Sequence, residues 1–134
     1  MKKPEITEVV NAQMPLGTHL GIRTFGDAEE VEATLQWAAE LCTAGGVLHG
    51  GVLMTVADAA GAVCAFLNLP AGATTTTIES KTNFLGAVRG GEVRARARPL
   101  HVGKTTIVVE TDLLDESGRR VARTTQTQVV LTTD

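Results

Sequence analysis

The segment VLHGGVLMTVADAAGAVCAFL, Val47 to Leu67, decides how the rest of the chain is read. A Gly-Gly turn leads into a nearly all-apolar run interrupted by a single carboxylate, Asp58. A helix that is apolar on every side has to be surrounded by other protein. The segment is therefore expected to form a buried central helix.

Three features of this helix point to chemistry. Gly50 and Gly51 carry no side chains, so a ligand can approach the unpaired N–H groups of the first turn and the positive end of the helix dipole, a suitable place for a developing oxyanion. Asp58 lies among Val56, Ala57, Ala59, Ala60, Ala62 and Val63, where an unpartnered ionised carboxylate is costly. Thr55, Gly61 and Ala62, stacked on the same side as Asp58, are small and leave room for a substrate. Each feature has a structural reading too: a tight turn, a carboxylate that accepts hydrogen bonds from a neighbouring strand, and, for His49, a capping or loop-fixing imidazole. Their combination at this spacing favours a site.

Working outward, 134 residues suit one domain, 1–134, large enough to bury a core. The chain is 43% hydrophobic and 20% charged, close to an ordinary globular protein. A net charge of -3 argues against nucleic acid as the main partner. Cys42 and Cys64, with His19, His49 and His101, form neither a disulfide framework nor a metal-ligand pattern, and Cys64 reads as a small core residue. The opening MKKPEITEVV lacks the apolar stretch of a secretory leader, and no run has the length and flanks of a membrane span, so the cytoplasm is the expected compartment.

Residues 4–13 read as a short amphipathic helix, with Pro4 in its first turn and Pro15 and Gly17 ending it. Between Leu20 and Trp37 two strand-like pieces are separated by Gly26-Asp27, and Val31, Ala33, Leu35 and Trp37 alternate with polar residues. After Asn68-Leu69-Pro70-Ala71-Gly72, four strand-like segments follow, with turns at 89–91, 102–104 and 115–118, and these predict an antiparallel meander. Val93, Ala95 and Ala97 face one way and Arg94, Arg96 and Arg98 the other, while Ile107 and Val109 share a face with Leu113. The arginine stripe is expected on a solvated or subunit-facing outer surface. The fold class that results is α+β, a long antiparallel sheet wrapped around a central helix, with a short N-terminal helix.

His49-Gly50-Gly51 followed by an acid nine positions after the histidine, together with the later TIESKTNF, Thr77 to Phe84 read from its first threonine, resembles the hotdog-fold acyl-CoA thioesterases, in particular the branch named after the phenylacetate-degradation thioesterase. The resemblance runs from about Leu16 to Leu131. It implies a homodimer with shared active sites, often a dimer of dimers, and acyl-CoA as substrate with no separate cofactor. It also makes Thr77 a hydroxyl that helps to hold the water or the acid, within a run of threonines from Thr74 to Thr77. Relatives commonly carry an amide side chain six positions before the histidine, where this chain has Thr43, which hydrogen-bonds but reaches less far.

Spacing bears on mechanism. Gly50 and Asp58 are eight residues apart, which is about 12 Å along a helix axis, whereas a reacting carbonyl sits about 3 Å from its oxyanion donor. A two-fold dimer resolves this by setting the Gly-Gly turn of one chain opposite the Asp of the other. The expected reaction is thioester hydrolysis: the Gly50 N–H, helped by Gly51, polarises the carbonyl, and Asp58 activates water or attacks directly. His49, Gly51 and Thr55 are candidates for substrate contact, and Arg89, Lys104 and Arg119, beside turns, for the coenzyme A phosphates. A non-catalytic acyl-CoA-binding module and a hotdog hydratase or dehydratase share the fold. With three Phe, one Trp and no Tyr, the composition assigns neither an aryl nor an aliphatic pocket.

Overall fold

A computed structural model describes residues 3–133. The elements are α1 (Thr7–Gln13), α2 (Pro15–Leu20), β1 (Arg23–Gly26), β2 (Val31–Gln36), α3 (Gly50–Phe66), β3 (Thr74–Phe84), β4 (Glu92–Val102), β5 (Thr106–Leu114) and β6 (Arg120–Leu131). The strands form one six-stranded antiparallel sheet in the order β1-β2-β4-β5-β6-β3, with α3 packed against it.

The inner face follows the alternation of the strands. Val31, Ala33 and Leu35 of β2, Val93, Ala95 and Ala97 of β4, and Ile107, Val109 and Leu113 of β5 are all buried. They meet Leu53, Val56, Ala57, Ala60 and Cys64 of α3. Burial pushes the Cys64 thiol up to about 11, in keeping with a core role. The many alanines let the helix axis lie close to the sheet. Gly61 takes this furthest, because a Cβ there would run into the side-chain amide of Gln126 on β6.

Four expectations need correction. First, β3 is not part of a sequential meander: it pairs with β6, from Thr74 opposite Leu131 to Phe84 opposite Ala122. Both edges of β4 are taken by β2 and β5, so the free edge of β6 receives β3. Second, Pro4 is outside the helix. The Pro4 carbonyl accepts from Gly26 N at 2.9 Å and Ile6 N donates to Thr24 O at 2.8 Å, so residues 4–6 lie along β1 and α1 begins at Thr7. Third, Pro15 starts α2 rather than ending a helix, because its fixed φ and missing N–H suit a first-turn position. Gly17 lies buried within α2, which ends at Gly21 in the left-handed conformation, φ 70°.

The fourth correction concerns α3 itself. The sheet covers one side of it, and Gly51, Met54, Asp58 and Phe66 are exposed on the single chain. Asp58 is thus at a surface rather than inside the core. Ile78, Phe84 and Leu85, on and just after β3, are exposed apolar residues, and the outer edge of β3 has no strand partner among the described residues.

On the outer face the arginine stripe is paired with acids. Arg94 meets Glu32 at 3.2 Å and Arg96 meets Glu30 at 3.4 Å. Asp112 receives Arg123 at 2.8 Å, Arg120 at 3.0 Å and Arg98 at 3.6 Å. Burial opposes ionisation of Asp112, but the hydrogen bond from Arg123 and the surrounding positive charge hold its carboxyl below the usual range.

Gly61→Ala should destabilise the fold by about 1–3 kcal/mol through overpacking against Gln126. Urea unfolding of the single variant and of Gly61→Ala/Gln126→Ala tests this, and the second change should recover part of the loss.

Candidate active site

The start of α3 is fixed by a network of loop hydrogen bonds. Trp37 Nε1 donates to Gly46 O at 3.1 Å and Arg89 Nη1 to Gly45 O at 3.2 Å. Gly45 and Gly46 take positive φ, 77° and 73° respectively, which favours Gly at these turn positions. Thr43 N donates to Val47 O at 2.8 Å, Leu48 N to Val88 O at 2.8 Å, and His49 N to Leu41 O at 2.9 Å. His49 then caps the helix, its Nδ1 accepting from Gly51 N at 2.8 Å. This is the capping role expected of the imidazole. Nδ1 therefore carries no proton, and the ring proton is on Nε2.

The cap divides the two glycines. The Gly51 N–H is occupied by His49, so it is not the free second oxyanion donor that the Gly-Gly pair suggested. Among the described residues the Gly50 N–H has no acceptor. It sits in the first turn of a 17-residue helix, at the positive end of its dipole. The Phe84 ring packs over Gly50, and a Cβ there would come within 3.1 Å of the ring edge. Gly50 thus combines a free donor with a position where any side chain would press on Phe84.

Asp58 stands two turns further along the exposed side of α3 and makes no ion pair or side-chain hydrogen bond among the described residues. Desolvation by the surrounding protein raises its carboxyl above the usual range. Thr55, half-buried one turn before it, donates its hydroxyl to Gly51 O at 2.9 Å. Gly61, expected to leave room for substrate, is instead buried, and its space is filled by Gln126.

The remaining candidates are scattered. Thr77, half-buried on β3, accepts from the side-chain amide of Gln128, whose Oε1 accepts from Thr75 at 3.1 Å. Gln128 was missed from sequence, because it stands in the Thr- and Gln-rich run 124–128 of β6, where no polar residue is singled out by its neighbours. Phe84 was missed as well, since nothing in its spacing relates it to Gly50. Thr43 is exposed in the loop before α3 and contributes its backbone to the turn. Arg89 supports that loop through Gly45, Arg119 is tied to Asp115 at 3.2 Å, and Lys104 is exposed on the β4–β5 turn. Among the described residues no helix is long and apolar enough to cross a membrane.

With this geometry in view, the similarities to known proteins are specific. The model of the thioesterase superfamily matches residues 45–122. The chain is 32% identical over 124 residues to the proofreading thioesterase EntH of Cronobacter turicensis, covering 89% of each. It is 29% identical over 107 residues to the 1,4-dihydroxy-2-naphthoyl-CoA hydrolase of Escherichia coli, covering 80% of this chain and 78% of that protein. A thioesterase crystal structure from Haemophilus influenzae superposes with a TM-score of 0.87 at 31% identity, over 98% of this chain and 94% of the other. The fold is the hotdog fold, a curved antiparallel sheet around one long helix. The chain belongs to the thioesterase superfamily and is a thioester hydrolase.

His49→Ala should cost about 0.5–2 kcal/mol of stability through loss of the cap. Thermal unfolding measures this, and His49→Asn, which retains a capping oxygen, should recover most of it.

Proposed function

We propose that this protein hydrolyses acyl-CoA thioesters to the free acid and coenzyme A at two equivalent sites in a homodimer, as a cytoplasmic member of the phenylacetate-degradation branch. The observation that carries this reading is the pairing of a free Gly50 N–H with an unpartnered Asp58 on the exposed side of the same helix. Gly50 of one protomer polarises the thioester carbonyl. Asp58 of its partner, as general base, takes a proton from water while that water attacks the carbonyl carbon, and the tetrahedral intermediate expels the thiolate of coenzyme A. In the alternative route Asp58 attacks directly, and water then hydrolyses the mixed anhydride. Thr77, Thr43, His49, Gly51 and Thr55 shape the site around these two groups, and Arg89 and Lys104 are assigned to the phosphates. Coenzyme A enters as part of the substrate, and no further cofactor is invoked. Two free cysteines are in keeping with a reducing compartment.

The dimer has a defined register. Two antiparallel α3 helices with Gly50 opposite Asp58 place Met54 opposite itself, on the two-fold axis. Met54 is 40% exposed on the single chain, and Ile78, Phe84 and Leu85 are further exposed apolar residues, Phe84 against Gly50 at the start of the same helix. The free edge of β3 supports the same partner, since an exposed strand eleven residues long is a template for pairing. A dimer of dimers is included in the proposal.

The decisive experiment is free-thiol release from a panel of CoA esters by wild type and Asp58→Asn. Turnover should fall by roughly 10²–10⁴-fold in a folded variant, and unchanged turnover would remove Asp58 from the mechanism. Wild-type activity should decline as pH falls through the raised carboxyl pKa, because the base must be ionised. Stability has the opposite sign. Ionisation is disfavoured in the fold, so stability is lost as pH rises from the ordinary 3.8 through the raised value. Asp58→Asn should therefore raise Tm at neutral pH and leave it unchanged in acid.

Met54→Cys should yield a cross-linked dimer under mild oxidation, read on a non-reducing gel. Persistence of monomer in a protein that sediments as a dimer would reject the register.

A further inference from the structure

A groove of about 750 Å³ opens one turn beyond Asp58. Val9, Val10 and Met14 form one wall, and Ala62, Val63 and Phe66 of α3 form the other. Ala62 stands four residues after Asp58, on the same side of the helix and about 6 Å along its axis. The volume is that of a small-molecule pocket, for which about 300–1,000 Å³ is usual. Val9 is 72% exposed and Phe66 62%, so an occupant would remove large apolar surfaces from water.

The groove's polar groups constrain its occupant. No charged side chain lines it. The Thr75 hydroxyl is engaged with Val129 O at 2.8 Å and Gln128 Oε1 at 3.1 Å. Thr74 and Gln13 are exposed and offer no buried donor. The two walls, Val9, Val10 and Met14 on one side and Ala62, Val63 and Phe66 on the other, offer a ring hydroxyl or terminal carboxylate no side-chain hydrogen-bond partner, whereas an alkyl chain needs none. The α3 wall from Ala62 to Leu67 extends about 7.5 Å, a reach suited to a medium chain.

We infer that this groove holds the acyl tail of the substrate and selects unsubstituted, medium-chain aliphatic acyl groups over hydroxylated aryl groups. The inference rests on the thioester-hydrolase reading above, with the carbonyl at Asp58 and the tail directed along α3 toward α1. Helix α1 thereby becomes a specificity element, and Val9 a side chain that contacts the tail.

The test compares kcat/KM for butyryl-, hexanoyl-, octanoyl- and 4-hydroxybenzoyl-CoA in wild type, Val9→Leu and Val9→Asp, with the dimer followed by sedimentation. Wild type should gain about fourfold per added methylene and prefer octanoyl- over 4-hydroxybenzoyl-CoA. Val9→Leu should keep that slope and Val9→Asp should flatten it. A flat wild-type series, a preference for the hydroxyaryl ester, or a Val9→Asp variant that alters only dimerisation would each overturn the assignment. Binding of S-butyl- and S-octyl-CoA thioethers separates failure of the groove from failure of the hydrolase reading. If no ester is turned over, the catalytic reading fails by itself. Tighter binding of the octyl thioether, lost in Val9→Asp, would still support the groove, and equal binding of the two would reject it.

Discussion

A helix can lie within the concave face of a curved sheet only where the facing side chains are small enough to let the two backbones approach. Ala57, Ala60 and Gly61 on α3, opposed by Ala33, Ala95 and Ala97 on the strands, meet that condition. The rest of the structure depends on this contact. It fixes the rotation of α3 about its own axis, and so determines which side chains are removed from water and which are presented outward. Gly61 gives way to Gln126, while Asp58, three residues earlier, remains at the surface.

The same rotation sets the chemistry. An apolar helix with one uncovered side is unfavourable as an isolated surface, and the side left uncovered carries the unpartnered carboxylate. At the helix start, the loop hydrogen bonds and the His49 cap satisfy the neighbouring backbone groups and leave the Gly50 N–H open. A free donor at a dipole end and a partly desolvated acid are both poorly satisfied in the folded chain. Incomplete satisfaction of this kind is the physical condition for binding a substrate whose charge changes during reaction.

The outer face behaves differently. Arginines on β4 and β6 and acids on β2, just before it at Glu30, and on β5 neutralise one another across neighbouring strands. The exposed pairs among them, such as Arg96 with Glu30, contribute little stability individually, while Asp112 is buried and depends on its arginines to stay ionised. The evident effect of the pairing is to prevent a continuous positive surface along the arginine stripe.

Much of this was legible in the residues. Strand alternation identified Val93, Ala95, Ala97, Ile107, Val109 and Leu113 as inward-facing, because side chains on a strand alternate whatever its partners. Local rules likewise located the central helix, its glycine-marked start and the cap at His49. Local rules failed where the answer depended on distant residues. Pro4 suits a helix start by local spacing, but the free edge of β1, invisible to that spacing, holds residues 4–6 extended. The pairing of β3 with β6 followed from which strand edges were already taken, and the exposure of Asp58 from how far six strands reach around one helix. The sequence by itself therefore determined the central helix, the strands with their inward faces and the chemical types at the site, since these depend on periodicity and backbone preference. Only the tertiary structure decided the strand order, the open side of α3 and the division of labour between Gly50 and Gly51, because each is a competition among groups far apart in the chain for the same hydrogen bond or the same buried surface.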